Sequence, residues 1–185
     1  MYVWARKHLE KRFTMHELSK LISIPYATFF RTAGQMKDVL TFEPVGKSKT
    51  VRLNARNPIV KSYLIISSDE ERKEFLTKQP IIRRIANDLS TDDIVILFGS
   101  YAKGKETEKS DIDLLIINKD GKKSLFFSTC ELLFKKKINP LFIMKKEFKK
   151  MLQEENENVG KQAVKNHIIL NNPELFWTLV LHGIR

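Results

Sequence analysis

The residues best suited to chemistry lie in one segment of the chain. A strongly apolar run ends in Gly99-Ser100, and ten residues later the chain reads Asp111-Ile112-Asp113. Because alternate residues of a strand point to the same side, Asp111 and Asp113 are predicted to project together from the start of a second apolar run. Two neighbouring carboxylates repel each other unless a cation lies between them, and Mg²⁺ with phosphate oxygens completing its octahedron suits such a pair.

The Gly-Ser turn before the two aspartates is suited to binding phosphate. Gly99 has no side chain, so the backbone there can approach a phosphate closely, and Ser100 can donate its hydroxyl. A helix start just after the turn would add free amides. Metal carboxylates beside such a turn are what nucleotidyl transfer requires. The alternative, a solvated turn followed by a polar strand start, is disfavoured because four fixed residues at fixed spacing rarely occur by chance.

This segment resembles the minimal nucleotidyltransferases of the DNA polymerase beta superfamily, whose signature is Gly-Ser, ten residues and Asp-x-Asp. The chain carries it as GSYAKGKETEKSDIDLLII, and the resemblance covers about residues 80–144. It implies a small mixed sheet with flanking helices, and nucleoside triphosphate and Mg²⁺ as ligands. By position, Gly99 and Ser100 would hold the triphosphate, whereas Asp111 and Asp113 would be catalytic and bind the metal. Lys103 would touch phosphate, unless it is only an exposed loop lysine.

Active members of that family carry a third carboxylate on a neighbouring strand. After a helix predicted over about residues 122–135, the next apolar run, 138–144, has Asn139 or Pro140 at that position. An asparagine is a weak oxygen ligand and is no general base near neutral pH. Glu131 and Glu147 are alternatives, each on a predicted helix. The sequence therefore predicts nucleotide binding and leaves full catalysis in doubt.

The first third of the chain is far more basic than the rest. Residues 1–61 hold twelve basic and four acidic residues, a net charge of +8, within a total of +11 for the chain. Residues 62–185 hold 21 basic and 18 acidic residues, a net charge of only +3. A strongly basic module favours an anionic partner, nucleic acid above all.

Local patterns in this basic module predict three helices and a hairpin. The helices are expected over about residues 2–11, after a capping box formed by Thr14 and Glu17, and over about 25–37. Two strand-like runs follow at 40–45 and 50–54, joined by a basic turn at 46–49. In the third helix Phe29, Ala33 and Met36 are expected to face the core.

The order of these elements resembles the winged helix-turn-helix family of DNA-binding domains. Many winged helices bind protein instead, but basic side chains on the hairpin favour duplex DNA, whose phosphates they would contact while the third helix enters the major groove. The predicted DNA contacts are Tyr26 and Arg31 on the third helix, and Lys47, Lys49 and Arg52 on the wing.

The chain is therefore predicted to be α+β, with a winged-helix domain at 1–66, a linker helix at 67–79 and a nucleotidyltransferase-like domain at 80–185. The linker helix is expected to start at a second capping box, at Ser68, and residues 59–66 fit either helix or strand. Helices are also expected at about 146–157, 159–170 and 173–182. Cys130 is interpreted as a small core residue.

Composition restricts the class of protein. The chain has 185 residues, of which 42% are apolar and 30% charged, as is typical of a globular protein. No apolar run is long enough to cross a bilayer, and the first residues lack the apolar core of a secretory signal. One cysteine and four scattered histidines argue against a disulfide and a zinc site. A cytoplasmic protein without membrane association is expected.

Three functions are compatible with these patterns. The first is a DNA-binding regulator, antitoxin-like through the family resemblance, whose second domain binds nucleotide. The second is an active Mg²⁺-dependent nucleotidyltransferase that moves a nucleoside monophosphate from a triphosphate to a protein, RNA or small-molecule hydroxyl. The third is a DNA-binding module with a dimerising second domain. The Gly-Ser turn and both aspartates argue against the third, and the absent carboxylate argues against the second. The regulator is favoured, with a toxin or other protein partner and a homodimer as further expectations.

Overall fold

The computed structural model describes residues 12–46 and 48–183. The chain divides into two compact units, an N-terminal unit, Met1–Leu64, and a C-terminal unit, Ile65–Arg185. The helix predicted over residues 2–11, and Lys47, lie outside the described residues. Helices and sheet occur in both units, which agrees with the predicted α+β class. Within the described ranges no helix combines the length and the apolar character needed to cross a bilayer.

The N-terminal unit combines helices with a three-stranded antiparallel sheet in the order β1-β3-β2. Its elements are β1 (Phe13–Thr14), α1 (Met15–Leu21), α2 (Tyr26–Gln35), β2 (Leu40–Val45) and β3 (Ser48–Leu53).

The helices of this unit begin where the sequence predicts. Thr14 Oγ1 accepts a hydrogen bond from Glu17 N at 3.2 Å, and Glu17 Oε2 accepts one from Thr14 N at 2.8 Å, which confirms the capping box. Helix α2 follows Pro25, whose fixed φ suits a helix start. Phe29 and Ala33 are buried, so the predicted core face of α2 is confirmed.

The hairpin is tighter than predicted. Strands β2 and β3 pair as far as Val45 with Ser48, so the connection has two residues instead of four. Gly46 has a φ of +60°, the left-handed conformation that two-residue hairpin turns need. As a consequence Lys49 lies within β3, opposite Pro44, and not in the turn.

One continuous helix, α3 (Pro58–Lys78), replaces the break that the sequence predicts at Ser68. The predicted capping box there is wrong, because Ser68 is buried in the helix and its Oγ accepts a hydrogen bond from Trp177 Nε1 at 2.9 Å. Because the Ser68 hydroxyl is engaged by a buried indole, it does not replace a helical backbone hydrogen bond with one of its own. The helix therefore continues through Ser68. Residues 59–66, which the sequence left as helix or strand, are helical.

The C-terminal unit has a mixed four-stranded sheet in the order β6-β5-β4-β7. Strand β5 is antiparallel to β4 and parallel to β6, and β7 is antiparallel to β4. The elements are α4 (Pro80–Asp88), β4 (Ile94–Phe98), α5 (Gly99–Ala102), β5 (Ile112–Asn118), α6 (Ser128–Phe134), β6 (Ile138–Met144), α7 (Lys145–Gln153), α8 (Val159–Lys165), β7 (Ile168–Asn171) and α9 (Pro173–Gly183).

The two central strands, β4 and β5, form the middle of the core. Their apolar residues are buried without alternation, the pattern of strands covered on both faces. On one face Val95 and Leu114 pack in a cluster with Ile82 and Ile85 of α4. This burial holds the strand ends that carry Gly99 and the aspartates in a fixed register.

The helix predicted over residues 122–135 is shorter, because only Ser128–Phe134 is helical. The Asn118 side chain accepts a hydrogen bond from Gly121 N at 2.7 Å and donates one to Lys122 O at 2.7 Å. These bonds hold the chain after β5 in a loop, as asparagine side chains do when they compete with helix formation. Cys130 is buried, as predicted, and burial raises the pKa of its thiol.

The helix predicted over residues 159–170 was wrong in its second half. Helix α8 ends at Lys165, and Ile168–Asn171 forms the edge strand β7 beside β4. A four-residue apolar run carries no period that separates strand from helix. The helix predicted over 146–157 likewise ends at Gln153, and Asn158 then caps α8 by accepting a hydrogen bond from Lys161 N at 3.0 Å.

Candidate functional site

The turn at Gly99 packs directly against an aspartate. Gly99 has a φ of +72°, and a Cβ atom placed on it would lie 2.1 Å from Asp113 Oδ2 and 3.2 Å from Asp113 Cβ. No side chain fits at that distance, so only glycine allows β4 to turn against this carboxylate. The geometry brings together the two halves of the signature, Gly-Ser and Asp-x-Asp, which are separated by ten residues in sequence.

Ser100 and Lys103 follow Gly99 in and just after the short helix α5. Ser100 is half-buried, and its carbonyl oxygen accepts hydrogen bonds from Lys103 N at 3.1 Å and Lys105 N at 3.0 Å. Tyr101 is buried beneath the turn and anchors it to the core. The Lys103 side chain is exposed. The turn is therefore fixed by backbone bonds and by one buried ring, while Lys103 projects into solvent.

The two aspartates stand at the start of β5, between the neighbouring strands. Asp113 is opposite Phe98 of β4 on one side and opposite Asn139 of β6 on the other. Asp111 lies just before the strand, two residues away, so both are half-buried at one edge of the sheet. Carboxylates are the hard oxygen donors that Mg²⁺ prefers, and two of them leave room for phosphate oxygens among its ligands.

Two further side chains contact Asp111. Asn139 Nδ2 donates a hydrogen bond to Asp111 Oδ2 at 3.1 Å, and Lys137 Nζ lies 3.8 Å from the same oxygen. The Lys137 side chain is 68% exposed and that of Asp111 is 41% exposed, so solvent screens their attraction. Sequence reasoning named Asn139 and missed Lys137. The available signal was its spacing, because Lys137 is two residues before Asn139 and shares its side of the chain.

The three candidate positions for a further acidic group lie in different surroundings. Asn139 is directly beside Asp113, at the position expected for it. Glu131 Oε1 accepts a hydrogen bond from Ile138 N at 2.8 Å and so serves the start of β6. Glu147 follows β6, and its Oε2 accepts a hydrogen bond from Met144 N at 2.7 Å. Met144 is five residues beyond Asn139, about 17 Å along a strand, so Glu147 is too far away to join the aspartates.

The described part of the chain holds no cluster of three or more His, Cys, Asp or Glu side chains placed to bind a metal ion. A cation at this site would therefore take its first ligands from the carboxylates of Asp111 and Asp113. The remaining ligands of a cation bound there would have to come from phosphate, water or amide oxygens.

The ten-residue spacer of the signature is held by hydrogen bonds in its middle and at its end. Gln79 Nε2 donates a hydrogen bond to Glu106 Oε1 at 2.6 Å, which ties the spacer to the junction before α4. Thr107 N donates to Ser110 Oγ at 2.9 Å, and Ser110 N donates to Thr107 O at 3.0 Å. These bonds close a turn directly before Asp111, so the spacer delivers the aspartates to the sheet edge in one register.

The residues predicted to contact DNA belong to the N-terminal unit and differ in their exposure and their partners. Tyr26 and Arg31 are exposed on α2, as expected, and Lys49 is exposed in β3. Arg52 Nη2 forms an ion pair with Glu43 Oε1 at 3.0 Å, across the hairpin. Lys47 lies outside the described residues.

Sequence reasoning did not include Phe30 among these contacts. Its ring is 52% exposed and lies 6.1 Å from the ring of Tyr26, centre to centre. The two rings make an exposed aromatic pair on the outer face of α2. An aromatic residue four positions from an exposed tyrosine on the same helix was the signal for this pair.

Comparison with known proteins gave two matches. The family model of the nucleotidyltransferase domain matches residues 80–176, slightly more than half of the chain. A crystal structure of a toxin–antitoxin with AMP-PNP is similar to 57% of this chain and 82% of its own, with 16% sequence identity and a TM-score of 0.39. The comparison with curated proteins gave no match.

Proposed function

Since the chain belongs to the nucleotidyltransferase domain family, we propose that its C-terminal unit binds a nucleoside triphosphate together with Mg²⁺ at the edge where β4 ends and β5 begins. The observation that carries this proposal is the close approach of Gly99 to Asp113, which leaves no space for a Cβ atom. A bare backbone turn beside a carboxylate pair suits a ligand that has both phosphates and a metal ion.

Each residue of the site has a separate role in this proposal. Asp111 and Asp113 hold Mg²⁺, which when bound neutralises charge on the phosphate oxygens. Gly99 admits the triphosphate to the backbone, and Ser100 donates its hydroxyl to a phosphate oxygen. Lys103, which is exposed, swings onto the triphosphate when the nucleotide is present.

We further propose that the unit retains nucleotide far better than it transfers it. Asn139 is opposite Asp113, at the position where active members carry a carboxylate, and its amide already donates to Asp111. A neutral amide takes no proton from an attacking hydroxyl near neutral pH. The regulator is therefore favoured over the active enzyme, in which another group would activate the acceptor.

The test introduces a carboxylate at position 139, where it could act as a general base. The chain and its Asn139→Asp variant are incubated with Mg²⁺, nucleoside triphosphates radiolabelled at the α-phosphate, and a cell extract that supplies protein, RNA and small-molecule hydroxyl acceptors. Label retained by the chain and label transferred to an acceptor, with release of pyrophosphate, are counted separately. Label retained without transfer is expected for the parent. The variant is expected to transfer it on the order of 10²–10⁴-fold faster, the usual contribution of a general base. Asn139→Ala is the control, because it removes the amide without adding a base. Rapid transfer by the parent would favour the active enzyme instead.

For the N-terminal unit we propose duplex DNA binding through a winged helix. The supporting observations are the exposed Tyr26, Phe30 and Arg31 on α2, together with a three-stranded antiparallel sheet whose hairpin carries Lys49 and Arg52. A net charge of +8 over residues 1–61 supplies the attraction to phosphate. Together the two proposals describe a DNA-binding regulator, antitoxin-like, that also binds nucleotide.

Salt dependence tests this second proposal. If four to six phosphates are neutralised, the logarithm of the affinity should fall against log salt with a slope of about −4 to −5. Replacing Lys47 and Lys49 by alanine should weaken binding to all sequences and flatten the slope by about 2. Association that does not respond to salt would contradict a phosphate-binding surface.

A further inference from the structure

An exposed apolar patch lies on α6 and the loop before it. Phe126, Leu132 and Leu133 are 77%, 81% and 63% exposed, and we call these three residues the α6 patch. With 100° between successive helical residues, Leu132 and Leu133 lie on either side of Thr129 and share one face. Cys130 is on the adjoining face and is buried in the core. Single exposed apolar side chains are ordinary, but several large ones on one short helix and the loop before it indicate an interaction site.

A small cleft adjoins the α6 patch. Phe126 of the patch and Thr129 of α6 line it. The other lining residues are Ile85, Asp88, Leu89, Leu125, Phe127 and Cys130. Burial raises the pKa of the Cys130 thiol, and the nearby Asp88 carboxylate adds to the shift, so the thiol is neutral at physiological pH. A cleft that has aliphatic and aromatic side chains in its lining, next to the exposed ring of Phe126, can receive an anchoring side chain from a partner.

The edge of the α6 patch is basic. Lys122 and Lys123 precede it in sequence, Lys135 follows it, and all three are exposed. Lys123 Nζ lies 4.7 Å from the centre of the Phe126 ring, which holds its charge at the edge of the patch. Glu131, the acidic residue of α6, is bonded to the backbone of Ile138 and serves β6 instead.

We propose that the α6 patch binds an amphipathic helix of a partner protein, with leucine-type side chains on one face and aspartate or glutamate along its edges. A second copy of this chain suits the patch poorly, because a two-fold contact would bring lysines against lysines. The proposal does not depend on nucleotide binding and goes beyond it, since neither the cleft nor the patch belongs to the Gly99–Asp113 edge.

The test first selects peptides that bind the chain and then identifies the residues of the chain that bind them. A displayed library of random 16-residue peptides is panned on the whole chain without nucleotide, and enriched peptides are synthesised and titrated by fluorescence anisotropy. Enriched sequences should combine leucine-type residues at helical spacing with flanking acidic residues. Binding should weaken at least about tenfold in a Leu132→Ser, Leu133→Ser variant, as for central interface residues. Ile66→Ser is the matched control, because Ile66 is 56% exposed in the same unit but outside the patch.

Charge is tested separately. In a Lys122→Glu, Lys123→Glu variant the enriched peptides should associate more slowly, and the dependence of binding on salt should weaken. Panning that enriches no peptide, peptides without acidic residues, or equal binding to the leucine variant would each overturn the proposal. So would tighter binding to vesicles of anionic lipid than to any peptide, or a fall in the mass of the chain in solution on substitution of the leucines. Because no nucleotide is present, failure here is distinct from failure of the nucleotide site.

Discussion

The two units of this chain present their candidate sites in different ways. In the C-terminal unit, backbone packing fixes the site, because Gly99 abuts Asp113 and Asn139 is bonded to Asp111. In the N-terminal unit the candidate contacts are basic and aromatic side chains on α2 and on the hairpin, and exposure is their main shared property. Close packing requires fixed residue types at fixed spacing, whereas a surface that attracts a polyanion tolerates many arrangements of basic residues.

The largest expected effect comes from adding one methyl group at the packed site. Gly99→Ala should lower the free energy of unfolding by about 2–4 kcal/mol, from backbone strain at positive φ together with the clash against Asp113. It should also weaken nucleotide binding by about a hundredfold, the cost of displacing a functional group by about 1 Å. Chemical denaturation and nucleotide titration measure the two effects.

Gly104→Ala is the matched control for that change. Gly104 has a φ of +62°, but a Cβ atom placed on it meets nothing within 4 Å. This variant should show only the backbone cost, about 1–2 kcal/mol, and bind nucleotide normally. Equal effects at the two glycines would mean that contact with Asp113 is not what fixes the site.

The next prediction tests whether α2 recognises a particular DNA sequence. If Arg31 reaches a guanine edge, Arg31→Ala should cost about 1–3 kcal/mol on the preferred DNA site and little on random DNA. Nucleotide binding by the C-terminal unit should be unchanged. Competition titrations with specific and random duplexes measure this difference. Equal losses on both duplexes would reduce Arg31 to a phosphate contact.

The smallest effect is expected at the lysine beside Asp111. Lys137 competes with a metal ion for that carboxylate, but both side chains are exposed and their attraction is worth under about 1 kcal/mol. Lys137→Ala should therefore lower the Mg²⁺ concentration that half-saturates nucleotide binding by about two- to fivefold. Lys119→Ala, at another exposed lysine of the same unit, should leave it unchanged. A higher Mg²⁺ requirement in Lys137→Ala would mean that this lysine binds the triphosphate itself.

What the sequence predicts well follows from local packing. The Gly-Ser and Asp-x-Asp segments predict both strand ends, because fully apolar runs flank them and the glycine has no substitute at a positive φ. On β6 the sequence leaves Asn139 or Pro140 as the residue beside the aspartates, and the pairing with β5 places Asn139 opposite Asp113. The capping box at Thr14 is equally local and is confirmed.

What the sequence misses depends on contacts between distant residues. Ser68 is a helix interior residue because Trp177, 109 positions away, donates to it. Strand β7 exists because β4 offers it an edge, and its four residues alone do not distinguish strand from helix. Lys137 becomes part of the site only when β6 pairs with β5, and that pairing cannot be read from one lysine in a run of three.

The most direct test of the account is Mg²⁺-dependent binding of nucleoside triphosphate by the whole chain. Each labelled triphosphate is titrated with Mg²⁺, with excess EDTA, and with the variants Asp113→Ala and Asp92→Ala, the second of which removes an exposed carboxylate outside the site. The account predicts that at least one triphosphate binds with Mg²⁺, that EDTA and Asp113→Ala abolish binding, and that Asp92→Ala does not. Asp113→Ala should leave thermal unfolding nearly unchanged, because it relieves repulsion between two carboxylates. No binding at millimolar Mg²⁺, or binding that survives Asp113→Ala, would contradict it.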